Sequence, residues 1–340
     1  MGEAKFQTRV AIPDYPWKTG YQYRTIFMGS CFTENVGQKM DDLKYPVDIN
    51  PFGILYNPMS VASGLELLLK AKHFSEADLI EHNGLWHSFA HHGRFSATDK
   101  NEMLEGINAR LETSAQLLRV ADFLFLTFGT AWIFRYNKTG KVVSNCHKIP
   151  ATAFGRERLS SNEIVAAYKK LLPELRGQNP KLKVVFTVSP IRHWKDGAIE
   201  NQRSKATLLL AIDELIRQFP GFCAYFPSYE IVMDELRDYR FYASDMLHIS
   251  EVAIDHIWQL FEENLIDAES RQLAKKVLKI RNAVMHRPIN RNTPEFRNFV
   301  HKFYKNILEL EAEYPYLNLK LEKEHFISHL EDLGSVDSKK

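Results

Sequence analysis

The chain has 340 residues, 45% of them hydrophobic and 25% charged, with a formal net charge of +2. This is the composition of an ordinary globular protein that can bury a substantial core, as one large domain with an appendage or as two domains. It supplies no global basic field to hold nucleic acid by counterion release, and no apolar run of about eighteen residues to span a membrane.

Residues 1–20, MGEAKFQTRVAIPDYPWKTG, lack the apolar stretch of a secretion signal. Phe6 stands where a myristoylation motif requires Ser or Thr, so a cytoplasmic location is expected. Cys31, Cys146 and Cys223 are far apart and odd in number, which argues against a disulfide framework and for a reducing compartment.

Strand-length apolar runs then alternate with stretches of helical period. A strand is expected over 23–29 (YRTIFMG) and a helix over 33–42, followed by a short strand and loop at 45–53 and a helix over 60–71. Residues 84–97 have no clean period and suggest an irregular hairpin or loop. Residues 99–121 form a long amphipathic helix with Asp99 as N-cap, and DFLFLTFG at 122–129 is a buried parallel strand. A hairpin over 131–150 turns around Lys138-Thr139-Gly140. Ser160 and Glu163 match a capping box that opens another helix. A strand at 182–190, a helix over about 200–218, a strand in 221–232 and a core helix over 250–265 complete the alternation.

Parallel neighbours need crossover connections, so this order implies a three-layer α/β/α sandwich around a mostly parallel, flavodoxin-like sheet. Residues 1–265 are expected to form that domain, with insertions near 84–97 and 131–150, and residues 266–340 a helical C-terminal extension with a loose tip at LGSVDSKK. The Lys- and Arg-rich stretch after residue 270 suits a solvated helical face.

In an open α/β sheet the ligand sits beyond the carboxyl ends of the strands. Ser30 ends the first strand where the chain turns into a helix, among unpaired amides that favour a developing oxyanion, though taken alone such a serine is more often a plain N-cap. In YASDMLHISE, Asp245 precedes His248 by three residues, ahead of the last core helix. An Asp and a His on one loop supply a base and the group that orients it, while an Asx turn and a solvated residue before a helix are the simpler explanations.

GSCFTENVG, with NPFGILYNPMS, FGTAW, NCHKIP, SPIRH and SDMLHIS in this order over residues 20–265, resembles the GSCFA family within the SGNH (GDSL-like) hydrolase superfamily. The resemblance implies Ser30 as nucleophile, His248 as general base and Asp245 as its partner. It implies an oxyanion hole built from the nucleophile's amide, a glycine amide of the second block and an asparagine of the third. Gly53 is the candidate glycine. FGTAW offers Gly129 and Thr130 but no asparagine, leaving Asn57 or Asn145 to replace it. Cys31 is a rival nucleophile, since a thiol beside a helix N-terminus and a histidine ionises readily, but successive residues at a sharp turn point in different directions.

His82, His87, His91 and His92 are close in sequence, yet Gly84, Gly93 and the aromatic neighbours disfavour the helix that a metal-binding H-x-x-x-H pair needs. A pocket wall with Trp86 or His91 facing substrate is expected instead, and no metal. Cys146 and His147 suit strand-edge packing or a pocket equally, and Arg192 suits an anion clamp or a capping salt bridge. No phosphate-cradling loop is present, and no cofactor is expected. The expected function is a serine esterase, deacetylase or O-acyltransferase acting on a small acylated molecule or carbohydrate ester, without nucleic-acid or membrane partners and with a homodimer open. The alternative is a binder of the same fold that turns nothing over.

Overall fold

The computed structural model describes residues 7–337, with side chains to residue 331. In chain order its elements are β1 (Thr25–Gly29), α1 (Cys31–Asp42), β2 (Val47–Ile49), α2 (Pro58–Lys70), β3 (Leu79–His82), β4 (Leu85–Ser88), α3 (Lys100–Leu118), β5 (Phe123–Phe128), β6 (Trp132–Tyr136), β7 (Val142–Val143) and β8 (Phe154–Arg158). There follow α4 (Ser161–Gln178), β9 (Lys183–Val188), α5 (Gly197–Gln218), β10 (Cys223–Tyr225), the single turn α6 (Ser228–Glu230), α7 (Glu251–Leu265), α8 (Ala268–Met285), α9 (Pro294–Glu313) and α10 (Lys320–Asp337).

The central sheet is parallel, in the order β10-β9-β5-β1-β2. Its strands are mostly apolar because both faces are covered, and period-2 alternation divides their side chains between two cores. Phe27, Phe123, Phe125 and Val185 pack with α1, α7 and the C-terminal helices. Ile26, Met28, Leu124, Leu126 and Phe186 pack with α2, α3, α4 and α5 on the other face. This is the expected three-layer sandwich. Taking the sheet strands in chain order, the first lies between the second and the third, so connections leave in opposite directions at the β1/β5 boundary. A crevice opens beyond the carboxyl ends at such a point.

Local signals account for several boundaries. Asp99 caps α3, its carboxylate accepting from the Glu102 amide at 2.8 Å. Ser160 and Glu163 form both bonds of the capping box that opens α4. The irregular 84–97 segment is in part a regular hairpin that begins earlier: β3 and β4 pair antiparallel across Asn83-Gly84, both with positive φ, as a mirror-image two-residue turn requires. The 131–150 hairpin, β6 with β7, gains a third strand in β8, whose exposed FGRER sequence has no apolar alternation to betray it. Helix α5 starts at Gly197, a few residues before the expected start.

Helices α8 to α10 dock on the α1 side, where Leu273, Val277, Val300, Ile307 and Phe326 join the same apolar cluster as Phe27. Arg281 pairs with Asp42 of α1, and Lys44 with Glu322 at 2.7 Å. The backbone of α10 runs to Asp337, through much of the segment expected to be loose, while residues 1–6 with the failed myristoylation motif and residues 338–340 lie outside the described residues. No helix among the described residues is long and apolar enough to cross a membrane.

Candidate active site

Strand β1 ends at Gly29, whose φ of +145° and close approach to the Thr127 carbonyl exclude a side chain. Ser30 follows as the N-cap residue of α1, but its hydroxyl makes no capping bond. It is 1% exposed, and its Oγ has no hydrogen-bond partner among the described residues. A buried hydroxyl without a partner costs about 1–3 kcal/mol and calls for an explanation that capping does not supply here.

Asp245 and His248 lie in the loop ahead of α7. Asp245 Oδ1 accepts the amides of Leu247 and His248, each at 2.9 Å, and Oδ2 lies 2.5 Å from His248 Nδ1. The turn is tightened by Met246 at φ +58°. The imidazole bond and the two amides hold the Asp245 carboxyl down at about 2. The pair is solvent-facing, with the His248 side chain 57% exposed, and the bond at Nδ1 leaves Nε2 as the ring nitrogen not tied to Asp245.

Ser30 and His248 are not hydrogen bonded to each other. His193 lies near both. A Cβ added to Gly129, at the end of β5, would sit 3.2 Å from His193 Nε2 and 3.4 Å from Ser30 Cβ. Burial and then the Lys205 cation push the His193 imidazole down to about 4, with a smaller push from His248. The Tyr56 ring packs edge-on against it at 5.5 Å. Lys205 is fully buried and donates from Nζ to the carbonyls of Gly129 and Ser189, both at 2.6 Å, tying the ends of β5 and β9; burial lowers it to about 7.

Most of the oxyanion donors drawn from the sequence are engaged. The Gly53 amide donates to the Asn50 carbonyl at 2.8 Å and closes a turn. The amides of Gly129 and Thr130 both donate to the Tyr56 carbonyl, at 2.8 and 2.9 Å, and the Thr130 hydroxyl pairs with Ser204. Asn57 caps α2 through Ser60, using both ends of its carboxamide. Asn145 accepts the His147 amide and lines a cavity of about 400 Å³ with His82, His87, His92 and His147. The Ser30 amide reaches the Thr127 carbonyl at 3.2 Å, the longest of these bonds.

His91 does not face substrate. It is buried among Phe52, Phe74 and Phe95, bonded to Ser88, and pushed down to about 3 by that burial. Arg192 lies against the Tyr229 hydroxyl and 3.5 Å from Met233 Sδ, with no carboxylate partner among the described residues. The His147 ring stacks on His87 at 4.4 Å and donates from Nε2 to the Ser88 carbonyl, while also lining the cavity at Asn145. Among the described residues no three His, Cys, Asp or Glu side chains are grouped as metal ligands. The Cys31 thiol is raised by burial, which outweighs the helix-terminal amides that favour the thiolate.

Three residues of this site were not singled out from sequence. His193 adjoins Arg192 in SPIRH, and Asn50 precedes NPFG's proline. Lys205 sits on the buried stripe 201, 204, 208, 211, 212, 215 of α5, so its period marks it as an inward-facing cation.

The GSCFA family model matches residues 24–261, and the model described as GSCFA domain protein, C-terminal domain, matches residues 277–332. No curated protein matches. Among solved structures, the chain is similar to a carbohydrate esterase family 3 protein from Talaromyces cellulolyticus (9% identity over 74% of this chain and 98% of that one, TM-score 0.34). It is also similar to an acetyl xylan esterase from the rumen bacterium Butyrivibrio proteoclasticus (11% identity over 73% and 65%, TM-score 0.34). Spanning the sheet, the serine corner and the Asp-His loop, the first of the two matched regions covers well over half of the sequence: the chain belongs to the GSCFA family.

Proposed function

We propose that the protein is a serine acyl hydrolase that works through an acyl-enzyme on small acylated molecules or carbohydrate esters. The observation that carries this reading is the buried, unpartnered hydroxyl of Ser30 at the switch point of the sheet; a hydrogen-bonded Asp-His pair in the loop ahead of α7 supports it. Ser30 Oγ attacks the acyl carbonyl while His248 Nε2 takes its proton. Asp245, ionised across the working range, fixes the Nδ1–H tautomer and stabilises the imidazolium. The tetrahedral oxyanion collapses, the proton returns to the departing alcohol, and water repeats the sequence to free the acyl group; an alcohol in place of water makes the enzyme a transferase. Because Ser30 is covered in this state, its bond to the base forms when substrate opens the crevice.

One observation favours a second reading of the base. His193, held neutral above about pH 4 and lining the same space at Gly129 as Ser30, is the rival candidate to take the proton. Steady-state turnover of acetylated and longer-chain chromogenic esters tests both. Ser30→Ala and His248→Ala are expected to lose about a thousandfold or more in kcat, and His193→Ala much less. Turnover that survives Ser30→Ala overturns the serine reading; a larger loss in His193→Ala than in His248→Ala transfers the base role to His193.

A further inference from the structure

We propose that the Asn50 carboxamide is the oxyanion donor of this site, taking the place of the asparagine that FGTAW lacks; this rests on the serine reading above. Asn50 directly follows β2, next to the carboxyl end of β1, and is 1% exposed. Every polar group it carries but one is fixed. Its amide donates to the Phe27 carbonyl at 2.8 Å, and its carbonyl accepts from Gly53 N and from Arg94 Nη2, both at 2.8 Å. Its Oδ1 accepts the amide of Gly29, the residue before the serine, at 2.9 Å. That bond orients the carboxamide and leaves Nδ2, buried, with no acceptor among the described residues. The backbone at φ +47° is one that asparagine tolerates better than most residues.

The surroundings point the same way. Thr33, one turn into α1, also has a buried hydroxyl without a partner. Gly37, one turn further, lies close enough to Ile49 that an added Cβ would stand 3.0 Å from its side chain. The face of α1 that begins at Ser30 therefore lies along the end of β2 where Asn50 sits. A nucleophile without a base and a donor without an acceptor share one corner, while the backbone amides nearby are engaged. A developing oxyanion there satisfies the donor: as the Oγ–C bond forms, the carbonyl π pair moves onto oxygen, which accepts from Nδ2–H with no proton transferred.

Asn201 is the rival, since its Nδ2 is also buried and unpartnered, but its Oδ1 is held by the His193 amide rather than by the serine's own strand. The test measures fluorophosphonate labelling of Ser30 and ester turnover in wild type, Asn50→Asp, Asn50→Ala and Asn201→Asp, with a thermal melt of each. Asn50→Asp keeps the acceptor for Gly29 and the side-chain shape but removes the donor. It is expected to melt near wild type and lose about a hundredfold or more in kcat with little change in KM. Acidification, which protonates the new carboxyl, should recover part of the loss. A folded Asn50→Asp within tenfold of wild type overturns the proposal, as does a hundredfold loss confined to Asn201→Asp. Wild type that is never labelled at Ser30 removes the serine reading and this proposal together, whereas labelled wild type with unimpaired Asn50 variants removes the proposal alone.

Discussion

At Ser30 and Cys31 two adjacent nucleophiles occupy one turn, and the environment separates them. The thiol is raised by burial and stays protonated near neutral pH, while the hydroxyl is buried without a partner among the described residues. Cys31→Ala is accordingly expected to keep turnover within a few-fold of wild type, and iodoacetamide to leave it unaffected, as a rate assay before and after alkylation checks. At this scale Ser30, Asp245 and His248 were singled out by the family resemblance, and the bond between Asp245 and His248 follows from their spacing on one turn. The oxyanion donors were not legible, because whether an amide is free depends on which carbonyl folds against it. Gly53, Gly129 and Thr130 lose their amides to Asn50 and Tyr56, a choice made by loops that the sequence pattern does not display.

Elements place those residues. The run Thr25–Gly29 is a strand because both faces are apolar and covered, and α1 begins at once because Gly29 alone can pass the Thr127 carbonyl. Gly129 performs a related service at the end of β5, where Tyr56, His193 and Ser30 converge on the space a side chain would take. Gly129→Ala is expected to cost about 1–3 kcal/mol of stability by overpacking and at least tenfold in kcat by displacing Ser30 or His193, measured by calorimetry and ester turnover. Strand and helix periods were readable for the core elements, where burial enforces them. They were not for β8 and most of β3, which are half-exposed and held by register alone.

Across the whole molecule, the layer order followed from strand-helix alternation, but the placement of α8 to α10 against α1 did not, since their amphipathic faces fit any apolar surface. Buried histidines give the fold an acid limit. His91 is held at about 3, and His147 and His193 at about 4, each chiefly by burial. All three lie below the ordinary value near 6.5, so the fold favours the neutral imidazoles. Their contribution is complete above about pH 6.5 and is lost as the pH falls toward 4 and 3. The melting temperature is expected to fall steadily from pH 6.5 to 4, and His91→Phe, which removes one titrating group from an aromatic cage, to shrink that slope.

The account centres on a covalent acyl-enzyme at Ser30. Mass-spectrometric mapping of the protein after reaction with a fluorophosphonate is its most direct test. The adduct is expected on Ser30, absent in Ser30→Ala and formed at a sharply lower rate in His248→Ala; an adduct on Cys31 or any other residue, with Ser30 unmodified, contradicts it.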